Sequence, residues 1–436
     1  DGGSLLADEP KPGGQVNPLY ERMKTSVFER MSALAAEHGA VNLGQGFPDF
    51  GWPDEILEAA ARALKERSNQ YPPSRGLPQL REAVAGHYNR HQGLSLTAEQ
   101  VCVTSGATEA LGAAILATVE PGDEVIIFTP AYDSYAPMIR RAGGIPREVA
   151  LRPPEWHIER AALEAAIGSK TRAILFNNPH NPAGRLFDAG DLEAIAAVAR
   201  EHDLIVISDE VWEHIVLAPP RNGEGDRSAT PNGGGGVVQV SGPPPSSLRP
   251  ATCPSRGGFV SMLSLPGMAE RTIKIGSAGK IFSLTGWKVG WMVAARELAG
   301  VVARAHQFLT FSTAPNLQAA VAFGLNEGDR WIEPMRERFA RARDRMTQGL
   351  REAGYHVLDA GSTYFLCVDL AASGIAQDDE SFAIAAVEKA GVAVVPLSAF
   401  AEADPPRHLV RLCFGKKDET IDAGVAAMAK AKELLS

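Results

Sequence analysis

The chain has 436 residues, 45% of them hydrophobic and 22% charged, a balance expected of a globular protein with more length than one compact core needs. Its formal net charge of -9 argues against a nucleic-acid or anionic-membrane partner, and no apolar stretch is long and charge-free enough to span a bilayer. Cys102, Cys253, Cys367 and Cys413 show no CxxC spacing and no histidine cluster beside them. Reduced thiols in a cytoplasmic compartment are therefore expected, and no metal site. Because the sequence begins at Asp1 rather than methionine, a removed targeting segment and an organellar matrix stay open.

In chain order, residues 1–16 are polar and rich in Gly and Pro, and read as a disordered tail. From about Tyr20 to Glu37, Met23, Val27, Met31 and Leu34 recur at helical spacing. A loop dense in Gly, Pro and aromatics follows Val41–Gly44, and a further helix starts near Pro53. From Val101 to about Trp291 short β-branched runs alternate with helical patterns. Strands are predicted at Val101–Val103, Glu124–Phe128, Ala173–Asn177, Leu204–Ser208, Thr272–Ile275 and Val289–Val293, with helices such as Ala107–Val119 and Ala189–His202 between them. Continuous apolar strands alternating with helices predict an α/β architecture, a mostly parallel sheet covered on both faces, with functional groups at the strand ends. Residues 218–258 are saturated with Gly, Pro and Ser and read as a disordered surface insertion. From Asp329 a long charged amphipathic helix leads into a smaller α+β segment with strands near Tyr364–Val368 and His408–Phe414. The expected organisation is an arm over 17–52 joining the small domain, a large domain over 53–325 and a small domain over 326–436.

Three features carry chemistry. Residues 276–291, GSAGKIFSLTGWKVGW, place Lys280 after a strand among small residues, with Ser277 and Lys288 close enough in sequence to serve a phosphate. A lysine at a buried strand end can have a lowered amine pKa, which suits covalent attachment of an aldehyde; an isolated lysine is more often a solvated surface residue. Thr104-Ser105-Gly106-Ala107-Thr108 lies between a strand and a helix start, a ready anion site that is equally a plain N-cap when judged alone. Asn181, in the Asn/Pro/Gly turn NNPHNPAG, and Asp209, ending a buried strand, supply polar groups. A buried carboxylate needs a partner, and a pyridinium N–H is one.

Together, NLGQGFPDF (42–50), NQYPPSRGLPQLREA (69–83), SGATEAL (105–111), NNPHNPAG (177–184), SDEVWEH (208–214), GSAGKIFSLTGWKVGW (276–291) and VRLCFGK (410–416) resemble the class I/II aminotransferases. These are fold-type I enzymes dependent on pyridoxal 5′-phosphate (PLP). The likeness is greatest to the kynurenine/glutamine and methionine aminotransferases and the related succinyldiaminopimelate aminotransferases. It implies a large domain with a mostly parallel seven-stranded sheet and a smaller α+β domain. It also implies that Lys280 holds PLP covalently and shuttles a proton, that Asp209 pairs with the pyridine nitrogen and that Asn181 bonds the ring oxygen. Tyr132 would stack on the ring, and Gly106, Ala107, Thr108, Ser277 and Lys288 would bind the phosphate. Tyr71 would reach the phosphate of the neighbouring subunit, so the resemblance implies a homodimer with shared active sites. Arg411 would clamp the substrate carboxylate through a bidentate fork, approached also by the backbone of Gly46. One departure is Trp212, where the family commonly has a tyrosine whose hydroxyl helps hold the ring oxygen; the other is the insertion.

The implied reaction moves an amino group from an amino acid to a 2-oxo acid. Phe47, Phe50, Trp212 and Phe311 would make the side-chain pocket apolar, favouring methionine, glutamine, phenylalanine or kynurenine. The rivals are a cysteine-S-conjugate β-lyase, an N-succinyldiaminopimelate aminotransferase (Arg75 from the other subunit reaching a distal carboxylate) and a PLP-binding DNA regulator. The tail is too short and not basic enough for the last.

Overall fold

Seven strands pair into one sheet: β1 Val101–Thr104, β2 Glu124–Thr129, β3 Ile145–Ala150, β4 Thr171–Asn177, β5 Ile205–Asp209, β6 Thr272–Ser277 and β7 Gly290–Val293. Their order is β1-β7-β6-β5-β4-β2-β3, with β7 antiparallel to β1 and β6 and the remaining pairings parallel. The computed structural model describes residues 16–23, 25–218 and 258–436. The tail and the insertion expected from composition lie outside these residues, save for their edges.

Strands β2 and β6 are buried along their whole length, and β4 and β5 from their third and second residues onward. That burial is what continuous Val/Ile runs require when helices cover both faces. Strand β3 was not predicted. Its exposure alternates, it contains Pro146, and it forms the sheet edge beside β2, where a proline is tolerated.

Helix α1, Val27–His38, starts later than the periodicity from Tyr20 predicts. Ser26 accepts a hydrogen bond from the Glu29 N–H as its N-cap, and a separate turn, Pro18–Glu21, comes before it. Helix α2, Gly106–Thr118, follows β1 directly, and α3, Ala189–Glu201, is started by Asp188 in a capping box. Helix α4, Ile332–Glu352, buries Ile332, Met335, Phe339, Met346 and Leu350 along one stripe.

A second sheet is antiparallel: β8 His356–Val357, β9 Phe365–Asp369, β10 Val395–Pro396 and β11 Leu409–Cys413, in the order β10-β11-β9-β8. Helix α5, Asp418–Leu435, packs on α4. Val41–Asn42 pairs in parallel with Val392–Ala393, so the N-terminal arm is hydrogen-bonded to the C-terminal part of the chain.

The turn after β5 is pinned from below. Lys274, fully buried on β6, pairs with Glu210 and with Glu213. Tyr88 donates to Glu213 at 2.7 Å, while Ser261 and the Met262 N–H donate to Glu210 at 2.8 and 3.0 Å. Removing one partner of such a pair costs on the order of 3–5 kcal/mol, and the two carboxylates adjoin Asp209 and Trp212 in the chain. No helix among the described residues is long and apolar enough to cross a membrane.

Candidate active site

Register brings the polar strand ends together. Asn177 lies opposite Asp209, and Ser277 and Thr104 both lie opposite Gly290. At these ends a cavity of about 340 Å³ opens, within the range of small-molecule sites. Asn181, Asp209, Lys280 and Arg411 all line it.

One end is built for an anion. Gly106 has φ +80°, and a Cβ there would sit 2.9 Å from Lys288 Nζ, so the amine lies against the first turn of α2. Ser105 makes no side-chain cap to that turn. A Cβ on Gly290 would fall 2.7 Å from the Ala107 nitrogen, so only glycine lets the strand pass there. Ala107, Thr108 and Ser277 complete this end, where helix N–H groups, a hydroxyl and an ammonium suit a phosphate.

A buried carboxylate also lines the cavity. Asp209, 5% exposed, accepts from the Tyr135 hydroxyl at 2.5 Å through Oδ2. Its Oδ1 has the Val211 N–H at 3.4 Å. Burial pushes the carboxyl up to about 6, with the Tyr135 hydrogen bond opposing. Tyr132 lines the same space, and burial raises its phenol.

Lys280 stands on the short helical turn Ala278–Ile281, where a Cβ on Gly279 would approach the Thr285 backbone at 2.9 Å. Its Nζ donates to the Tyr364 hydroxyl at 2.8 Å and lies 4.4 Å over the Trp212 ring. Burial pulls the amine down to about 8.

At the far end Arg411, 1% exposed, donates from Nη1 to Asn181 Oδ1 at 2.9 Å and from Nη2 to the Gly44 carbonyl at 3.0 Å. Its Nε is buried without a partner among the described residues, and burial lowers the guanidinium to about 10. The Phe365 ring lies 3.8 Å away. A Cβ on Gly46 would reach 3.0 Å from that ring, so bare backbone faces the guanidinium. Among the described residues no carboxylate lies within ion-pair distance of this guanidinium, an arrangement that suits an anion.

Phe47 and Trp212 line the cavity as expected. Phe50 does not: it is 5% exposed and packs on Phe339 and Arg338. Tyr71 and Phe311 also stand outside this chain's cavity, edge to face at 5.7 Å, with Tyr71 85% exposed. Sequence reasoning missed Phe28 and Gln45 on the wall, Tyr135 behind Asp209 and Tyr364 beside Lys280. For Tyr135 a signal existed in the doubled tyrosine of PAYDSY. For Tyr364 there was only its place at a strand start.

The family model described as Aminotransferase class I and II matches residues 38–428. The chain is 39% identical over 421 residues to a probable N-succinyldiaminopimelate aminotransferase of Mycobacterium tuberculosis, covering 94% of this chain and 96% of the relative. It is 37% identical over 425 residues to the methionine aminotransferase of Escherichia coli, covering 96% and 99%. The solved structure of N-succinyldiaminopimelate aminotransferase from Mycobacterium tuberculosis superposes with a TM-score of 0.84 at 39% identity, over 96% of this chain and all of that one.

Proposed function

Since this chain belongs to the class I and II aminotransferases, we propose that it takes the amino group from an L-amino acid with a long, neutral side chain, using PLP held at Lys280. The cofactor, when bound, supplies an aldehyde carbon and an electron-withdrawing ring. The residues present fit it. Gly106, Ala107, Thr108, Ser277 and Lys288 would hold the phosphate, and Tyr132 the ring face. Asp209 has a buried carboxylate oxygen facing the cavity to pair with a pyridinium N–H. The Asn181 oxygen is taken by Arg411, leaving its amide nitrogen to donate to the ring oxygen.

The chain's own residues then divide the work. Arg411 and the backbone at Gly46 take the substrate carboxylate and fix which face of Cα meets Lys280. The Lys280 amine would take the proton from the donor's Cα and hold it for the return step. Aromatic walls exclude water from both events.

The observation that carries the donor class is the wall itself. Phe28, Phe47, Trp212 and Phe365 line the same cavity as Arg411, Phe28 and Phe365 with their rings against its guanidinium, Gln45 adds a neutral polar group, and Asp209 is the one carboxylate among the described lining residues. Among the described lining residues the cations are Lys280, Lys288 and Arg411, so none is left for a short distal carboxylate. Methionine, glutamine, phenylalanine and kynurenine fit this description. N-Succinyldiaminopimelate is the second reading, favoured by the 39% identical relative and by the methylene stem its reacting end shares with them. A donor panel against 2-oxoglutarate and 2-oxo-4-methylthiobutyrate tests this. Methionine or glutamine should exceed aspartate in kcat/KM by at least about a hundredfold. Preference for aspartate would overturn the donor class, and a preference for N-succinyldiaminopimelate over methionine selects the second reading.

We further propose a homodimer in which Tyr71 completes the partner's phosphate site. Its exposure, together with that of Phe308 (85%) and Phe311 (39%), leaves aromatic surface that a second copy would cover. Complementation checks it. Tyr71→Ala and Lys280→Ala proteins, each impaired alone, should recover activity when unfolded and refolded together, because each mixed dimer holds one intact site. Failure of the mixture to exceed the sum of its parts would sink the shared site.

A further inference from the structure

We propose that Tyr364 is a positioning residue for Lys280: its hydroxyl and the Trp212 ring form the resting place of the free lysine amine between proton transfers. This rests on the reading of Lys280 as the proton carrier.

The geometry is a short relay. Lys280 Nζ donates to Tyr364 Oη at 2.8 Å, and Tyr364 Oη donates to the Gly46 carbonyl at 2.8 Å. Tyr364 is 1% exposed, so neither bond competes with bulk water. The amine also lies 4.4 Å over the Trp212 ring, an attractive position for an ammonium. Tyr364 meets Trp212 edge to face at 4.5 Å, so the two rings form a corner that holds the Lys280 amine. A lysine that abstracts a proton becomes an ammonium with three donors in a poorly hydrated space. One donor is met by the phenol oxygen and part of the charge by the indole face, and the remaining N–H groups stay free to point at the reacting atoms.

The relay also links the amine to the substrate's carboxylate site. Gly46 accepts from Tyr364, and Gly44 in the same loop accepts from Arg411. The loop that holds Arg411 therefore also holds the phenol, and the phenol holds the amine. Trp212 brings no hydroxyl to this corner, so the phenol present comes from the other sheet's side, at the start of β9.

Tyr364→Phe keeps the ring contacts with Trp212, Phe339 and Phe365 and removes only the oxygen. Two readouts test it. The first is competitive acetylation of Lys280 against pH in the full chain prepared without cofactor, where the amine is free and activity plays no part. The variant's amine should titrate lower by half a unit or more, because the acceptor for its ammonium is gone. Asp209, Lys288, Arg411 and Cys413 also act on this amine and are unchanged in the comparison. The second is single-turnover conversion of a Cα-deuterated donor. The rate should fall about tenfold or more, donor affinity should stay within about twofold, and the isotope effect should rise because proton transfer becomes slower than the other steps. Tyr355→Phe, which removes a buried phenol bonded to the Met428 carbonyl, should change neither readout. Unchanged titration and isotope effect in Tyr364→Phe overturn the proposal, as does a fall in donor affinity with an unchanged isotope effect. Trp212→Phe provides a separate check, since a weaker ring face should lower the acetylation pKa with Tyr364 intact; no shift there removes the indole from the resting place. Acetylation that shifts in a protein without amino transfer would leave the corner standing and remove Lys280 as proton carrier.

Discussion

Lys280→Ala protein will lose the half-reaction with an amino acid by at least about a thousandfold, while folding and donor binding persist. The reason is local. The amine is pulled down to about 8 by burial. At pH 7 roughly a tenth of it is then neutral, against fewer than one in a thousand at an ordinary lysine value. That neutral amine stands in the cavity with Asp209, Asn181 and Arg411, and alanine leaves no base in its place. Stopped-flow absorbance on mixing with methionine checks the result. A variant that converts donor at a rate within tenfold of the parent would remove Lys280 from the reaction. Added primary amines should restore part of the lost rate, since the cavity left by the deleted side chain admits them.

The second large effect is a split between activity and stability at Asp209. Asp209→Asn keeps the shape and the Tyr135 hydrogen bond but removes the charge that would hold a ring nitrogen protonated. Amino transfer should fall by about a hundredfold or more. The cofactor-free protein should meanwhile become more stable at neutral pH. Burial raises the carboxyl from 3.8 to about 6, so the folded chain holds this proton more tightly than the unfolded chain. Stability is therefore lost as pH rises from about 4 to about 6, and above that the whole penalty, on the order of 3 kcal/mol, is present. Asparagine escapes it. The variant's melting temperature should exceed the parent's by a few degrees at pH 7 and match it near pH 4. Equal melting at both values would mean that Asp209 is not charged at a cost in the folded protein. The pairing of a stability gain with an activity loss is the mark of a group kept for function.

Much of the frame was legible in the sequence, and the reasons are physical. β2, β4, β5 and β6 are buried on both faces, so their apolar runs needed no partner to be read. β3 escaped because an edge strand with Pro146 and an exposed Arg147 carries no such run. The residues expected to face the cofactor could be singled out because they sit at strand ends within a few positions of one another, as Ser277, Lys280 and Lys288 do, and all three line the cavity. Tyr364 and Phe28 were not, because their roles exist only across the fold. Tyr364 meets Lys280 from 84 residues away, and Phe28 looks like any residue of an amphipathic helix until α1 is seen beside Arg411. Phe50 failed in the opposite direction, an aromatic in a pocket-like motif that packs into the core.

The cavity is made of two kinds of material. Its floor comes from strand ends whose spacing is set by β-pairing, and a one-residue slip between β4 and β5 would turn Asn177 and Asp209 to opposite faces. Its donor-facing wall comes from pieces with no common register: Phe28 on α1, Gln45 to Phe47 in the arm, and Phe365 on the second sheet. Heritable change is therefore filtered unequally. A substitution in the wall leaves the strand pairing of the floor untouched, so a lineage can exchange one diet of donors for another and keep the same chemistry throughout.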